Sequence, residues 1–386
     1  MNLFGRRKKH MFNKRTYLDV AAGWSDNPSS PHEEGRKSRE QLEKARTTIA
    51  RLTEVQPDDV IFTSGATESN ALAILGTAHA GDHVFYLQSS HASIVENVKL
   101  LAGRGVEIEA LPIKDGRVDC KKLKELLRPE TGLVSMDAVC GETGIIWNTR
   151  EVAEVLRHEE VRPPQQLRRS DLLKVLLHVD ASQAPLTEKI TRAHFGADML
   201  TLDASKVSAV RGIGALIAHR TIPLAPLYKG GGQERGLRPG SESSELAEKF
   251  AAALRAVAHN REKFRASAER ERARLITFIK NTIPDVYINE GRSQAPHILN
   301  ISLPGRDTDY LVALLDEEGF AVSTRSACET DSEEGSRAVF ALTGDEERAR
   351  ATLRISWNSE VSPRALARFA KALAEAVSFI DRRNER

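Results

Sequence analysis

Short apolar runs alternate with stretches of helical periodicity along most of the chain. Asp59-Val60-Ile61-Phe62-Thr63 reads as a strand and leads into Ser64-Gly65-Ala66-Thr67-Glu68-Ser69-Asn70 and an apolar helix through 71–75. His83-Val84-Phe85-Tyr86-Leu87, 106–111, Gly132-Leu133-Val134-Ser135-Met136, 175–179, Met199-Leu200-Thr201-Leu202 and Gly214-Ala215-Leu216-Ile217-Ala218 repeat the strand signature. Helical periodicity covers 36–54, with Leu42, Ala45, Ile49 and Leu52 on one face, and 93–103. Strands alternating with helices in this way predict an α/β fold, with a mostly parallel central sheet and helices on both faces.

The second half has a different texture. Gly230-Gly231-Gly232 marks a loop, and an Ala/Arg/Glu-rich helix over 243–281 is long enough to bridge two domains. Strand 298–303, helix 308–318, strand 321–323, helix 333–342, strand 351–356 and helix 363–380 then predict a smaller α+β domain. The expected organisation is a leader over 1–15, a large α/β domain over 16–245, and a bridging helix with a C-terminal α+β domain over 246–386. Residues 159–172, with Pro163-Pro164 and several charges, read as a surface excursion. There is no internal repeat and no low-complexity tract.

Composition narrows the function classes. The 386 residues are 40% hydrophobic and 28% charged, values that suit a soluble globular protein able to bury a sizeable core. No apolar run approaches the roughly 20 residues that cross a bilayer, so no membrane partner is expected. Three cysteines cannot build a disulfide framework in a chain this long, which points to the cytoplasm, and their spacing matches no zinc site, so no metal is expected. Residues 1–15 carry six basic side chains and no acid, so the whole chain's +2 leaves −4 on the remainder. That acidic body argues against a nucleic-acid partner. The leader reads as a disordered start without the apolar segment of a secretory signal, and Met11 offers a second start that would leave 1–10 untranslated.

Four segments carry candidate chemistry. A turn of small residues at a helix start, Ser64-Gly65-Ala66-Thr67, is either a phosphate cradle or an ordinary capped terminus. In His178-Val179-Asp180-Ala181-Ser182-Gln183 the acid follows a buried strand, where ligands of open α/β sheets bind; it is either a helix cap or the partner of a protonated ring nitrogen. Lys206 follows the strand at 199–202 and is either a solvated side chain or a Schiff-base lysine made nucleophilic by burial. Cys328, in Thr324-Arg325-Ser326-Ala327-Cys328-Glu329-Thr330 before an acidic stretch, reads as a reactive thiol on a mobile loop. Cys120, in the exposed-looking Asp119-Cys120-Lys121, carries no chemistry.

Together these segments resemble the pyridoxal-phosphate-dependent cysteine desulfurases of the class V aminotransferase superfamily. The matching stretches are Tyr17-Leu18-Asp19, Asn27-Pro28-Ser29-Ser30 with His32 and Gly35, and Phe62 through Asn70. They continue with His178-Val179-Asp180-Ala181 and Gln183, Lys206 with Gly212-Ile213-Gly214-Ala215-Leu216, and Gly230 through Arg238. Ile298-Leu299-Asn300 and Ser326-Ala327-Cys328 follow, the last resembling the branch with a long cysteine loop. The resemblance implies a fold-type-I transferase, a homodimer with sites at the subunit interface, and pyridoxal 5'-phosphate as cofactor.

It also implies roles. Lys206 would hold the cofactor and move protons, Asp180 would pair with the pyridine nitrogen, and Gln183 would bond the phenolate oxygen. His91 would stack on the ring as acid/base; by its sequence alone it is a loop histidine. Ala66, Thr67 and Ser205 would bind the phosphate, and Ser241 would do so from the partner subunit. Asn27 and Arg354 would bind substrate, Arg354 clamping its carboxylate; otherwise Arg354 is a strand-edge charge. The implied reaction takes sulfur from L-cysteine, giving L-alanine and a Cys328 persulfide for a sulfur-acceptor protein in iron–sulfur assembly or tRNA thiolation.

Three departures stand against the family pattern. Asp203-Ala204-Ser205-Lys206 replaces Ser-x-His-Lys, putting a carboxylate where a phosphate donor is expected, with repulsion as the result. Cys140-Gly141-Glu142 replaces Asn-Asn-Glu, so a cofactor-contacting amide is lost at Gly141. The stretch between Ala22 and Asn27 is short by about one helix. The competing readings are a selenocysteine lyase or aminotransferase of the same fold, and a non-catalytic relative with a weakened cofactor site.

Overall fold

The computed structural model describes residues 16–157, 174–324 and 335–384. The leader, the excursion at 159–172 and Cys328 lie outside these residues. The chain opens with helix α1 (Glu33–Thr53), strand β1 (Val60–Thr63), α2 (Ala66–Leu75), β2 (His83–Tyr86), α3 (Ala92–Ala102) and β3 (Glu107–Ala110). A small hairpin, β4 (Ile113–Lys114) and β5 (Arg117–Val118), leads to α4 (Cys120–Leu126), β6 (Thr131–Asp137) and α5 (Thr149–Arg157). Then come β7 (Leu176–Asp180), α6 (Arg192–Phe195), β8 (Met199–Asp203) and β9 (Gly214–Ala218).

These strands build a seven-stranded sheet in the order β1-β9-β8-β7-β6-β2-β3. Only β9 runs against the others, pairing antiparallel with both β1 and β8. Successive residues of each strand enter opposite cores. Phe62, Phe85, Val134 and Met136 pack towards α1 and α5, while Ile61, Val84 and Leu133 pack towards α2 and α3. Burial on both faces is why these strands read as continuous apolar runs rather than alternating ones.

α7 (Ser244–Thr282) spans both halves of the molecule. Its first turns add Ala247, Phe250 and Leu254 to the core of the large sheet. Its last turns add Ala268, Leu275 and Ile279 to a separate core. That second core lies under β10 (Tyr287–Ile288), β11 (Ile298–Ser302), α8 (Thr308–Glu317), β12 (Thr352–Ser356) and α11 (Pro363–Asn384), with α9 (Arg337–Thr343) and α10 (Glu346–Arg350) preceding β12. β10, β11 and β12 form an antiparallel sheet.

Several local expectations are corrected. α2 starts at Ala66, not at 71, because the polar Ser69 and Asn70 point into the buried interior and do not end the helix. The strand expected at 321–323 is a single bridge, Ser323 to Arg354. Cys120 is not exposed: it is half-buried at the start of α4, and burial pushes its thiol pKa up. None of the described helices is long and apolar enough to cross a membrane.

Candidate active site

All strands of the large sheet except β9 deliver their carboxyl ends to one edge, so Thr63, Asp137, Asp180 and Asp203 emerge together. Beside this edge lies a cavity of about 470 Å³ that also reaches the small sheet. It is lined by His91, Gln183, Ser205, Lys206 and Arg354, together with Cys140, Gly141, His297 and Arg337. Five residues expected from the sequence, far apart in the chain, thus meet in one space.

Asp180 ends β7 and is buried beside this cavity. Its Oδ2 accepts from Asn70 Nδ2 at 2.7 Å and its Oδ1 from Ser182 N at 2.9 Å. The same Asn70 nitrogen donates to Ser93 Oγ at 2.8 Å, and Ser93 Oγ lies 2.8 Å from His91 Nδ1. The Ser93 hydroxyl accepts from Asn70 and, where Nδ1 carries no proton, donates to His91. Nδ1 also accepts the Ser93 backbone N–H at 3.2 Å, which places the proton of a neutral His91 ring on Nε2. His91 is exposed at the start of α3 and lines the cavity.

Lys206 ends a short 3-10 turn (Ala204–Lys206) after β8 and is exposed within the cavity. The burial expected of a nucleophilic amine is therefore not what positions it; the turn does. Gln183 lies over Gly141, where a Cβ would stand 3.1 Å from Gln183 Nε2. Gln183 thus packs against the backbone at Gly141, in space that a side chain there would contest. Arg354 Nη1 donates to Gly141 O at 3.2 Å, which holds the guanidinium at the cavity wall and not on an open strand edge.

The turn at the start of α2 directs backbone N–H groups towards carboxylates of the chain itself. Gly65 and Gly214 touch backbone to backbone, since a Cβ on Gly214 would lie 2.8 Å from Gly65 Cα. This close approach brings β8's last residue under the turn. Ala66 N donates to Asp203 Oδ2 at 2.8 Å, while Ser205 N and Oγ both donate to Asp203 Oδ1 at 2.7 Å. Thr67 is exposed on the same turn. Asn27 and Ser241 do not line the cavity in this chain; they meet each other, Nδ2 to Oγ, at 3.3 Å.

Some residues here had no role in the sequence reading. Asn70 and Ser93 link Asp180 to His91. Cys140 lines the cavity with its thiol pushed up to about 12 by burial, with Asp137 and Glu142 adding to the effect. Burial pushes the Asp137 carboxyl up to about 7, and Ser90 Oγ donates to it at 2.6 Å. His297 is buried at the wall with its pKa lowered to about 4 by the same cause. A lone histidine or serine between apolar runs gives no sequence signal for such roles. No group of three or more metal-ligating side chains occurs among the described residues.

Residues 16–359 match the family of class V aminotransferases, and the chain belongs to it. Within that class it belongs to the cysteine desulfurases: it is 33% identical over 333 residues to cysteine desulfurase IscS 1 of Archaeoglobus fulgidus, covering 85% of this chain and 83% of that one. Among solved structures, a NifS-like protein superposes with a TM-score of 0.81 at 26% identity, covering 92% of each chain. SspA in complex with cysteine superposes at 0.70 with 27% identity, covering 86% of this chain and 90% of that one. Class V aminotransferases and cysteine desulfurases are pyridoxal-phosphate-dependent.

The residues present fit the ring half of that cofactor: a buried carboxylate with donors on both oxygens, an amide, a cavity-facing lysine and an imidazole converge on one edge of the sheet. Where the resemblance places the phosphate, the donors of Ala66 and Ser205 already hold the chain's own Asp203.

Proposed function

We propose that this chain removes sulfur from L-cysteine to give L-alanine, passing the sulfur to Cys328 as a persulfide. The observation that carries the reading is the convergence of Lys206, His91, Gln183 and Arg354 on one cavity beside the buried Asp180. Bound pyridoxal phosphate supplies the electron sink at the substrate's Cα; Lys206 would hold it, Asp180 would face its ring nitrogen, and Gln183 its phenolate oxygen.

The chain's own residues do the rest. Arg354 binds the substrate carboxylate and fixes which bond of Cα faces Lys206. Lys206, exposed in the cavity, carries the proton between donor and acceptor positions. His91 lines the cavity with its ring held through Nδ1 by Ser93, and would act there as acid/base. In the sulfur step the Cys328 thiolate forms an S–S bond as the substrate's Cβ–S bond breaks. The electron pair stays with carbon, which takes up a proton, so cysteine plus thiol becomes alanine plus persulfide.

Cys328 lies outside the described residues, but the chain on either side is fixed close to the cavity. Arg354 N donates to Ser323 O at 2.6 Å, and Ser336 Oγ donates to Glu142 Oε2 at 2.6 Å. Four residues from Thr324 reach at most about 14 Å, which supports Cys328 as the thiol that meets substrate. Cys140 is a poor rival, because a thiol pushed up to about 12 stays protonated near neutral pH. The sulfur would then pass to an acceptor protein serving iron–sulfur assembly or tRNA thiolation, from a cytoplasmic homodimer.

The test is to incubate the purified chain with pyridoxal phosphate and L-cysteine and to measure alanine and sulfide, beside Lys206→Ala and Cys328→Ser. Lys206→Ala is expected to abolish alanine formation, and Cys328→Ser to abolish the persulfide. Retained alanine formation by Lys206→Ala would overturn the reading. The carboxylate in the phosphate cradle favours a second reading, a non-catalytic relative, and an inactive parent that takes up no cofactor would support that instead.

A further inference from the structure

Several of the donors that a phosphate would use at the start of α2, though not those of the exposed Thr67, are engaged by the chain's own carboxylates. Asp203 takes Ala66 N and both donors of Ser205, at 2.8, 2.7 and 2.7 Å. A second N–H of the same turn, that of Ser64, goes to Glu68 Oε2 at 2.5 Å. Glu68 is held in place by the Tyr228 hydroxyl at 2.6 Å and by Arg238 at 3.3 Å, and these contacts lower its pKa against the opposing effect of burial.

Asp203 is not a loose side chain. Its backbone pairs with Gly214 in the sheet register, and its carboxylate caps the turn that carries Lys206. Both oxygens are fixed by hydrogen bonds, so a phosphate entering this cradle must displace a charge of its own sign or remain beside it.

We propose that Asp203 is a resident anion that stands in for the cofactor's phosphate, so that the pocket discriminates little between pyridoxal phosphate and unphosphorylated pyridoxal. The inference rests on the proposed reading that Lys206 holds such an aldehyde. It concerns which aldehyde the site selects, a property set by Asp203 and separable from the later chemistry.

The experiment is a binding measurement, not an activity assay. The full chain, freed of bound aldehyde, is titrated with pyridoxal and with pyridoxal phosphate. Equilibrium dialysis and the visible absorption of lysine-bound aldehyde are the readouts, with Lys206→Ala as the blank. The parent is expected to bind the two aldehydes within about tenfold of each other. Asp203→Ser and the near-isosteric Asp203→Asn, both checked for folding by circular dichroism, are expected to raise the preference for the phosphorylated form. The gain is about 10- to 100-fold, the worth of one or two charge-assisted hydrogen bonds, with pyridoxal affinity little changed.

A parent that prefers pyridoxal phosphate by more than about 100-fold, with the ratio unmoved or lowered in Asp203→Asn, overturns the proposal and leaves the desulfurase reading standing. Absence of Lys206-dependent binding in the parent and in both variants overturns the desulfurase reading, and this proposal with it. Uptake of pyridoxal phosphate by Asp203→Ser alone, with the parent binding neither aldehyde, overturns the proposal, because the parent site is then closed to both.

Discussion

Asn70 Nδ2 donates to Asp180 Oδ2 at 2.7 Å, tying the second turn of α2 to the end of β7 across 110 positions of sequence. Because the same nitrogen also donates to Ser93, one amide sets both the carboxylate beside the cavity and the ring of His91. Asn70→Ala removes both bonds at a buried site, and a hydrogen bond to a charged group is worth about 1.5–3 kcal/mol. Urea denaturation should show a loss of that order. Asn70→Asp, which places a second carboxylate against Asp180, should cost more than Asn70→Ala. Equal stability of Asn70→Asp and the parent would show that the Asp180 oxygen does not depend on this donor.

Arg354 is expected to act on substrate binding more than on turnover, because its guanidinium sits at the cavity wall, anchored to Gly141 O. Arg354→Ala should raise the KM for L-cysteine by about 10- to 100-fold with kcat changed much less, the signature of a lost ground-state contact. Cysteamine, which lacks the carboxylate, should distinguish parent from variant far less than L-cysteine does. A fall in kcat with KM unchanged would sink the carboxylate-clamp role.

How much of this was legible in the sequence depends on how locally each feature is specified. The strands of the large sheet read well because burial on both faces makes them runs of apolar residues, as in Leu176 through Val179. The hairpin at Ile113–Val118 did not, since two-residue strands leave no periodicity. Arg46 lies on the buried side of α1, where the periodicity leads one to expect an apolar residue. Its partner, Glu234, is 188 positions away and accepts from Nη1 and Nη2 of the guanidinium, each at 2.7 Å. Asp203 was legible as an intruder at a phosphate site, by resemblance. That it would take up the donors of Ala66 and Ser205 required the Gly65–Gly214 contact, which joins two distant turns.

Glycine positions give a stability contrast. A Cβ at Gly35 would lie 2.4 Å from Ser30 O and 2.7 Å from Asn27 O, backbone atoms held by the turn before α1. Gly35→Ala must move that turn and should cost about 1–3 kcal/mol. A Cβ at Gly141 meets only the far end of Gln183, at 3.1 Å, so Gly141→Ala should change stability by about 0.5 kcal/mol or less while shifting Gln183 within the cavity. Thermal melts of the two variants side by side decide the point; a Gly141→Ala loss as large as that of Gly35→Ala would mean that Gln183 is rigidly held.

Acid should weaken the fold partly through His297. This imidazole is buried against Phe264, and burial lowers its pKa from the ordinary 6.5 to about 4. Between those values the unfolded chain binds a proton that the folded chain refuses. The histidine's contribution is therefore fully present above pH 6.5 and is lost as pH falls towards 4, by up to about 1.4 kcal/mol per pH unit. His178, also lowered by burial against the pull of Asp180, adds in the same direction. Asp137 works oppositely: its carboxyl, raised from 3.8 to about 7, is protonated in the folded chain and ionised in the unfolded one, so stability is lost as pH rises through that window. His297→Phe removes one titration and keeps the other two. Its stability relative to the parent, from urea unfolding at pH 7, 6 and 5, should improve steadily as the pH drops. A constant difference across that range would mean that His297 accepts its proton as readily in the folded chain as in the unfolded one, and the acid sensitivity would then have to come from His178 or from paired carboxylates.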